Sequence, residues 1–153
     1  MNLLLDTNII IQICRHSPTP AALKIINPND DALYISLASY AEVMSFAVKN
    51  KWGIKRLDKL NDFIANSRIV EITDFLVNFY VEIDTYSQRS NPNFTQYTFP
   101  TAITMGKNDL WIAATAAFLD LTLVTTDKDF IHLDDVFMDV RYIESDTLRG
   151  YFK

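Results

Sequence analysis

The 153-residue sequence predicts an α/β fold, a three-layer α/β/α sandwich around a central, mainly parallel sheet. Three observations lead there. Short apolar runs of β-type composition recur at residues 3–5, 33–36, 69–72, 121–126 and 140–143. Stretches with apolar residues at helical spacing lie between them, and strands that alternate with helices pair in parallel through crossovers. The first run, Leu3-Leu4-Leu5, is apolar throughout, as a strand covered on both faces requires. No internal repeat, low-complexity tract or linker interrupts the pattern, so one domain over residues 1–153 is expected.

In chain order, residues 3–5 form a strand that ends at Asp6, and a turn at Asp6-Thr7-Asn8 opens a helix through IIIQICR. The run LYIS leads into a helix from Ser39 to about Lys49, with Val43, Phe46 and Ala47 at helical spacing. Leu57, Leu60, Phe63 and Ile64 mark the next amphipathic helix. Residues 69–72 follow as a short strand, then Phe75, Leu76, Phe79, Tyr80 and Ile83 as a longer helix. Residues 88–106, QRSNPNFTQYTFPTAITMG, combine two prolines with Asn, Thr and Ser, the composition of a long loop. KNDLWIAATA at 107–116 starts a further helix, residues 121–126 are a strand, TDKD a turn, and residues 140–143 the last strand.

Hydrophobic residues at 49% and charged ones at 22% are the balance of a globular chain able to bury a core. A formal net charge of −5 argues against strong non-specific nucleic-acid binding, which needs clustered Lys and Arg, but leaves room for a nucleic acid held through a metal ion. The single cysteine, Cys14, can form neither an internal disulfide nor a thiolate cluster, so a reducing compartment, the cytoplasm, is expected. The apolar start lacks a basic n-region and a small-residue cleavage site, and no run reaches the roughly 18 apolar residues of a membrane span. Three glycines allow neither a GxGxxG nor a phosphate-binding loop, and two histidines, His16 and His132, rule out a histidine-rich zinc site.

Ligands of open parallel sheets collect outside the carboxyl ends of the strands. Four acids map to that edge: Asp6 ends the first strand, Glu42 follows the second, Asp109 opens a helix, and Asp127 ends LTLVTT. Each has a purely structural explanation. Asp6 can close a turn with Asn8; Glu42, three residues after Ser39, fits a capping box; Asp109 suits the helix dipole; and Asp127 with Asp129 can shape TDKD. Taken together those explanations weaken, because four converging carboxylates raise one another's pKa unless a cation neutralises them. Oxygen-only ligands favour Mg²⁺ or Mn²⁺.

LLLDTN at 3–8, Glu42 of SYAEV, NDLWIAATA at 108–116 and LTLVTTDKDF at 121–130 resemble, in order and over nearly the whole chain, the four signature blocks of PIN-domain nucleases, most closely VapC-type toxins of prokaryotic toxin–antitoxin pairs. The resemblance implies a PIN-like fold and a metal-dependent ribonuclease whose catalytic and metal-holding set is Asp6, Glu42, Asp109 and Asp127. It also implies Thr7, Asn8 and Thr126 as residues that support the cluster from beside or behind. The partners it implies are an RNA substrate such as transfer or ribosomal RNA, a cognate antitoxin and a second copy of the chain. Lys107 for a phosphate and Tyr97, with Phe94 and Phe99, for stacked bases are the substrate-binding candidates. Loop 88–106 is longer than in compact members, and the basic run from Lys49 to Lys59 reads as a solvated helix face. Two other functions fit a chain of this kind: a PIN-like module that binds RNA or a partner without catalysis, and a DNA-directed structure-specific nuclease.

Overall fold

A computed structural model describes residues 2–16 and 18–152. Its five strands, β1 (Leu3–Leu5), β2 (Leu33–Ser36), β3 (Arg68–Val70), β4 (Thr122–Thr125) and β5 (Val140–Tyr142), form one sheet in the order β3-β2-β1-β4-β5. Every neighbouring pair is parallel. The expected sheet is therefore present, and it is wholly parallel. The strand order reverses direction at β1, so β1 and β4 flank the crevice where open sheets of this type bind ligands.

Successive strand residues face opposite sides of a sheet, and β1 divides its three leucines accordingly. Leu3 and Leu5 join one core cluster with Ile35 and Val124. Leu4 joins the other with Tyr34 and Leu123. The register, Leu4 beside Leu123 and Leu5 beside Val124, keeps like-facing residues adjacent. Helices α1 (Thr7–Arg15), α2 (Pro20–Ile26), α3 (Leu37–Lys49), α4 (Ile54–Ala65) and α7 (Ser145–Arg149) supply buried residues to the first cluster. Helices α5 (Val77–Ser87) and α6 (Lys107–Leu119) cover the second. These are the three layers the sequence predicts.

Local differences from the sequence reading have local causes. Asp6 is itself the N-cap of α1, accepting from the Thr7 amide, so no turn separates strand from helix. The cap of α3 is Ser36, whose hydroxyl accepts from the Ala38 amide, and the helix starts at Leu37. Ser39 is thus inside the helix and buried, not its cap. The TDKD turn continues as a 3₁₀ helix over Lys128–Leu133, with Asp127 as its N-cap. Helix α2 carries a Thr19 cap and Pro20 at its first position, a start signal too short in apolar period to stand out.

Residues 88–106 contain no strand or helix, and though most are exposed, their aromatics pack inward. Tyr86, at the end of α5, is the hub, with ring centroids 4.6 Å from Phe94, 5.3 Å from Tyr97 and 5.4 Å from Phe99. The Ser87 hydroxyl is 2.7 Å from Nε2 of buried His132, and its carbonyl accepts from the Ile103 amide at 2.8 Å. The loop therefore delivers the chain to α6 from a fixed origin. Among the described residues no helix is long and apolar enough to cross a membrane.

Candidate active site

At the carboxyl end of β1, Asp6 is 4% exposed, and both carboxylate oxygens are used. Oδ1 accepts from the Thr7 amide at 2.7 Å and Oδ2 from the Thr125 hydroxyl at 2.7 Å. Burial is the largest influence on this carboxyl and lifts its pKa to about 6; the two hydrogen bonds act in the opposite direction, and Asp127 and Glu42 add repulsion.

The β1–β4 register explains the Thr125 contact. Leu5 lies beside Val124, and the Asp6 amide donates to the Val124 carbonyl at 3.0 Å, which carries Asp6 to the level of Thr125. Thr126, the residue expected to support the cluster, is half-buried beyond the end of β4 and makes no side-chain hydrogen bond among the described residues. Its expected place is held by Thr125, which also accepts from the Asp127 amide at 2.9 Å. One hydroxyl thus ties the two acids of the central strands together. The strand pairing carried this signal, since aligning LLL with TLV puts Thr125 opposite Asp6.

Glu42 sits in the second turn of α3 and accepts from the Thr7 hydroxyl at 3.1 Å, so Thr7 bridges Asp6 through its amide and Glu42 through its hydroxyl. The capping role that Ser39 suggested for Glu42 is absent, because Ser36 caps the helix. Asn8 is exposed in the first turn of α1, and its side chain bonds to none of the four acids. Asp127 accepts from the Asp129 amide at 2.9 Å, an Asx-type closure of the 3₁₀ start that also leaves Asp129 exposed.

Asp109 lies in the first turn of α6, half-buried, where the helix dipole favours a carboxylate. Its pKa nonetheless rises to about 7, first through burial and then through repulsion from Asp6, Asp127, Glu42 and Asp129. Burial and four like charges thus act together on this one carboxyl at the start of α6. None of the four predicted acids is in an ion pair among the described residues. They do not form a closed ligand shell: among the described residues, the group of three or more acids whose oxygens all lie within 4.8 Å of one another is Asp134, Asp135 and Asp139, exposed and outside the predicted set.

The substrate candidates separate. Lys107 is exposed at the first position of α6, two residues from Asp109. Tyr97 does not offer a free stacking face: its ring packs on Tyr86 and Phe99, the Arg89 guanidinium lies 5.1 Å from its centroid, and its hydroxyl donates to the Asn91 carbonyl. Phe94 and Phe99 are held in the same cluster. The loop aromatics are anchors because Tyr86 gives them a core to bury against.

A cleft of about 420 Å³ opens beside the acids, with Glu42 and Asn108 in its wall. Asn108 opens the NDLWIAATA block, but no role is expected for it there because nothing sets it apart from an ordinary helix-start residue.

No curated protein matches the chain. Among solved structures, the fold is similar to one of VapBC2 from Rickettsia felis bound to a promoter DNA fragment, at 22% identity over 93% of this chain and 98% of that one, TM-score 0.72. It is also similar to VapBC-1 from nontypeable Haemophilus influenzae, at 24% identity over 93% and 98%, TM-score 0.65. A third is FitAcB from Neisseria gonorrhoeae, at 25% identity over 92% and 96%, TM-score 0.61. The profile of the PIN domain matches residues 3–136, which contain every strand but β5 and all four acids at the sheet edge. The chain belongs to the PIN-domain family, in the fold seen in VapBC toxin–antitoxin structures.

Proposed function

We propose that this protein is a metal-dependent endoribonuclease, the toxin of a toxin–antitoxin pair, with Asp6, Glu42, Asp109 and Asp127 as its catalytic set. The observation that carries the reading is the gathering of acids at one sheet edge, where Thr125 ties Asp6 to Asp127 and Thr7 ties Asp6 to Glu42, and where the Asp109 carboxyl is raised to about 7 by burial first and by these acids second. A site that holds several acids together with none of them in an ion pair among the described residues is suited to a divalent ion. The donor set is all oxygen, which fits Mg²⁺ or Mn²⁺. The open spacing of the acids suits Mg²⁺ in particular, since that ion keeps several of its waters and takes few protein ligands directly.

Asp6, fixed by Thr7 and Thr125, and Asp109 and Asp127 would hold the ion, with Glu42 bound directly or through water. A divalent ion supplies neutralisation of phosphate charge and activation of water for in-line attack. Glu42 or Asp127 takes the proton of the attacking water. Hydrolysis of this kind leaves a 5′-phosphate and a 3′-hydroxyl. Lys107, exposed two residues before Asp109, would meet a phosphate.

Solved structures with a similar fold include a toxin–antitoxin complex from Klebsiella pneumoniae and a member of the VapBC family of toxin–antitoxin systems from Mycobacterium tuberculosis, which supports a cognate antitoxin as partner; a second copy of the chain and a cytoplasmic setting belong to the same proposal. The target class is structured RNA with unpaired loops, such as transfer or ribosomal RNA. Incubation with Mn²⁺ and single-stranded RNA, single-stranded DNA or branched DNA tests this. The expected result is cleavage of RNA alone, with 5′-phosphate ends. Cleavage of the DNAs with RNA intact, or of none, overturns it.

A further inference from the structure

The cleft beside the acids is built along one face of α3. Glu42, Ser45, Phe46 and Lys49 stand at i, i+3, i+4 and i+7, and all four line it. At about 1.5 Å per residue, the backbone positions of Glu42 and Lys49 are separated by roughly 10 Å along the helix. Asn108, exposed at the start of α6 next to Asp109, closes the opposite side. The Arg15 guanidinium lies 5.7 Å from the centroid of Phe46, one of the lining side chains, without itself lining the cleft. Among the described residues neither Arg15 nor Lys49 is in an ion pair.

We infer that this cleft is the subsite for the nucleotide next to the scissile bond of a single-stranded RNA, an inference that rests on the ribonuclease reading of the adjacent acids. Glu42 belongs to both the acid cluster and the cleft, so a strand whose phosphate sits at the acids continues into it. At about 420 Å³ the cleft falls within the range of small-ligand sites. Its chemistry grades from carboxylate through hydroxyl and aromatic wall to cations. The cations meet the neighbouring phosphate, and the Asn108 amide, with two donors and an acceptor, reads the edge of an unpaired base. In a chain of net charge −5, Lys49 in the wall and Arg15 over the Phe46 ring, neither in an ion pair among the described residues, are also a local exception to a field that repels RNA. The basic run that begins at Lys49 thus divides, its first member serving the cleft.

Binding of a fluorescent single-stranded RNA, followed by anisotropy across a salt series with Ca²⁺ in place of Mn²⁺, tests the inference. Each phosphate contact contributes about 0.7 to the slope of log Kd against log salt for a single strand. The double variant Arg15→Ala/Lys49→Ala is expected to weaken binding about fivefold near 0.1 M salt and to lower that slope by about 0.7, the share of one phosphate. Asn108→Ala is expected to weaken binding with the slope unchanged, and Arg68→Ala, on edge strand β3, to change neither. Circular dichroism and melting identify any variant that misfolds. Wild-type affinity and slope in the double variant, or no RNA binding by the wild type, overturn the subsite. The two readings part in a cleavage assay with Mn²⁺. A wild type that cleaves RNA while the double variant binds normally sinks the subsite alone, and one that binds through Arg15 and Lys49 without cleaving sinks the ribonuclease reading alone.

Discussion

The Thr125 hydroxyl donates to Asp6 Oδ2 at 2.7 Å and at the same time accepts from the Asp127 amide at 2.9 Å. Through it, the acid at the end of β1 and the acid after β4 are held in one geometry by a side chain that carries no charge. Second-layer partners of this kind orient ligands, and their removal commonly weakens metal binding 10- to 100-fold.

Replacing Thr125 by Val keeps the shape and removes both bonds. Because the Thr125 bond holds the Asp6 pKa down, its loss moves that carboxyl further up. Mn²⁺ affinity is expected to fall 10- to 100-fold near neutral pH, measured by calorimetry. Unchanged affinity would show that Asp6 needs no such support.

Asp109 predicts a stability that depends on pH in the metal-free protein. Its folded pKa, about 7, lies above the ordinary 3.8, so between those values the folded state binds more protons than the unfolded one. Stability from this group is therefore present at low pH and is lost as pH rises toward 7 and beyond. Asp109→Asn, a permanent mimic of the neutral acid, is expected to match the wild type at pH 4 and to exceed it by about 1 to 2 kcal/mol at pH 8, a figure reduced for the solvent that reaches the group. Saturating Mg²⁺ should remove that advantage. Urea midpoints at the two pH values, with and without Mg²⁺, decide, and an Asp109→Asn protein weaker than wild type at pH 8 without metal contradicts the repulsion argument.

His132 predicts the opposite slope from a different place. It is buried between Tyr86 and Phe99, with Nε2 bonded to the Ser87 hydroxyl, and burial lowers its pKa to about 4. The unfolded chain takes up a proton near pH 6.5 that the folded chain refuses until about pH 4. Stability from this group is complete above 6.5 and is lost by up to about 1.4 kcal/mol per pH unit below it. His132→Phe is expected to cost about 1 to 3 kcal/mol at pH 7, where Ser87 loses its partner, and less at pH 4.5. An equal cost at both values would mean that His132 carries no acid-sensitive contribution.

Ala113, Ala114 and Ala116 are fully buried in α6. Their small side chains let the helix lie close to the sheet and bring Asp109 to its edge. Ala113→Leu is expected to cost about 1 to 3 kcal/mol by overpacking and also to reduce RNA cleavage, because the helix must shift outward. A variant that melts earlier but cleaves at the wild-type rate would separate packing from positioning.

The sheet and its acid edge were readable because they rest on period and polarity. A fully apolar LLL, acids at strand ends and alternating helices leave few other arrangements. Contacts that depend on register were not. Thr125 and Thr126 are chemically alike, and only the pairing of Leu5 with Val124 picks the first. The loop aromatics Tyr97 and Phe99 look like a stacking platform until Tyr86 is seen at their centre. Ser39 and Ser36 both suit a helix cap, and the choice falls to where the backbone turns from strand to helix. Lys49 reads as one of several solvated lysines until α3 is set beside α6, which makes it part of a wall.

The central claim is that these acids act together on RNA. The most direct measurement is the rate of single-stranded RNA cleavage in Mn²⁺ by the wild type, Asp6→Asn and Asp109→Asn, each verified as folded by its melting curve. The account predicts that either substitution lowers the rate at least 100-fold while the protein stays folded. Cleavage at the wild-type rate by either folded variant would contradict it.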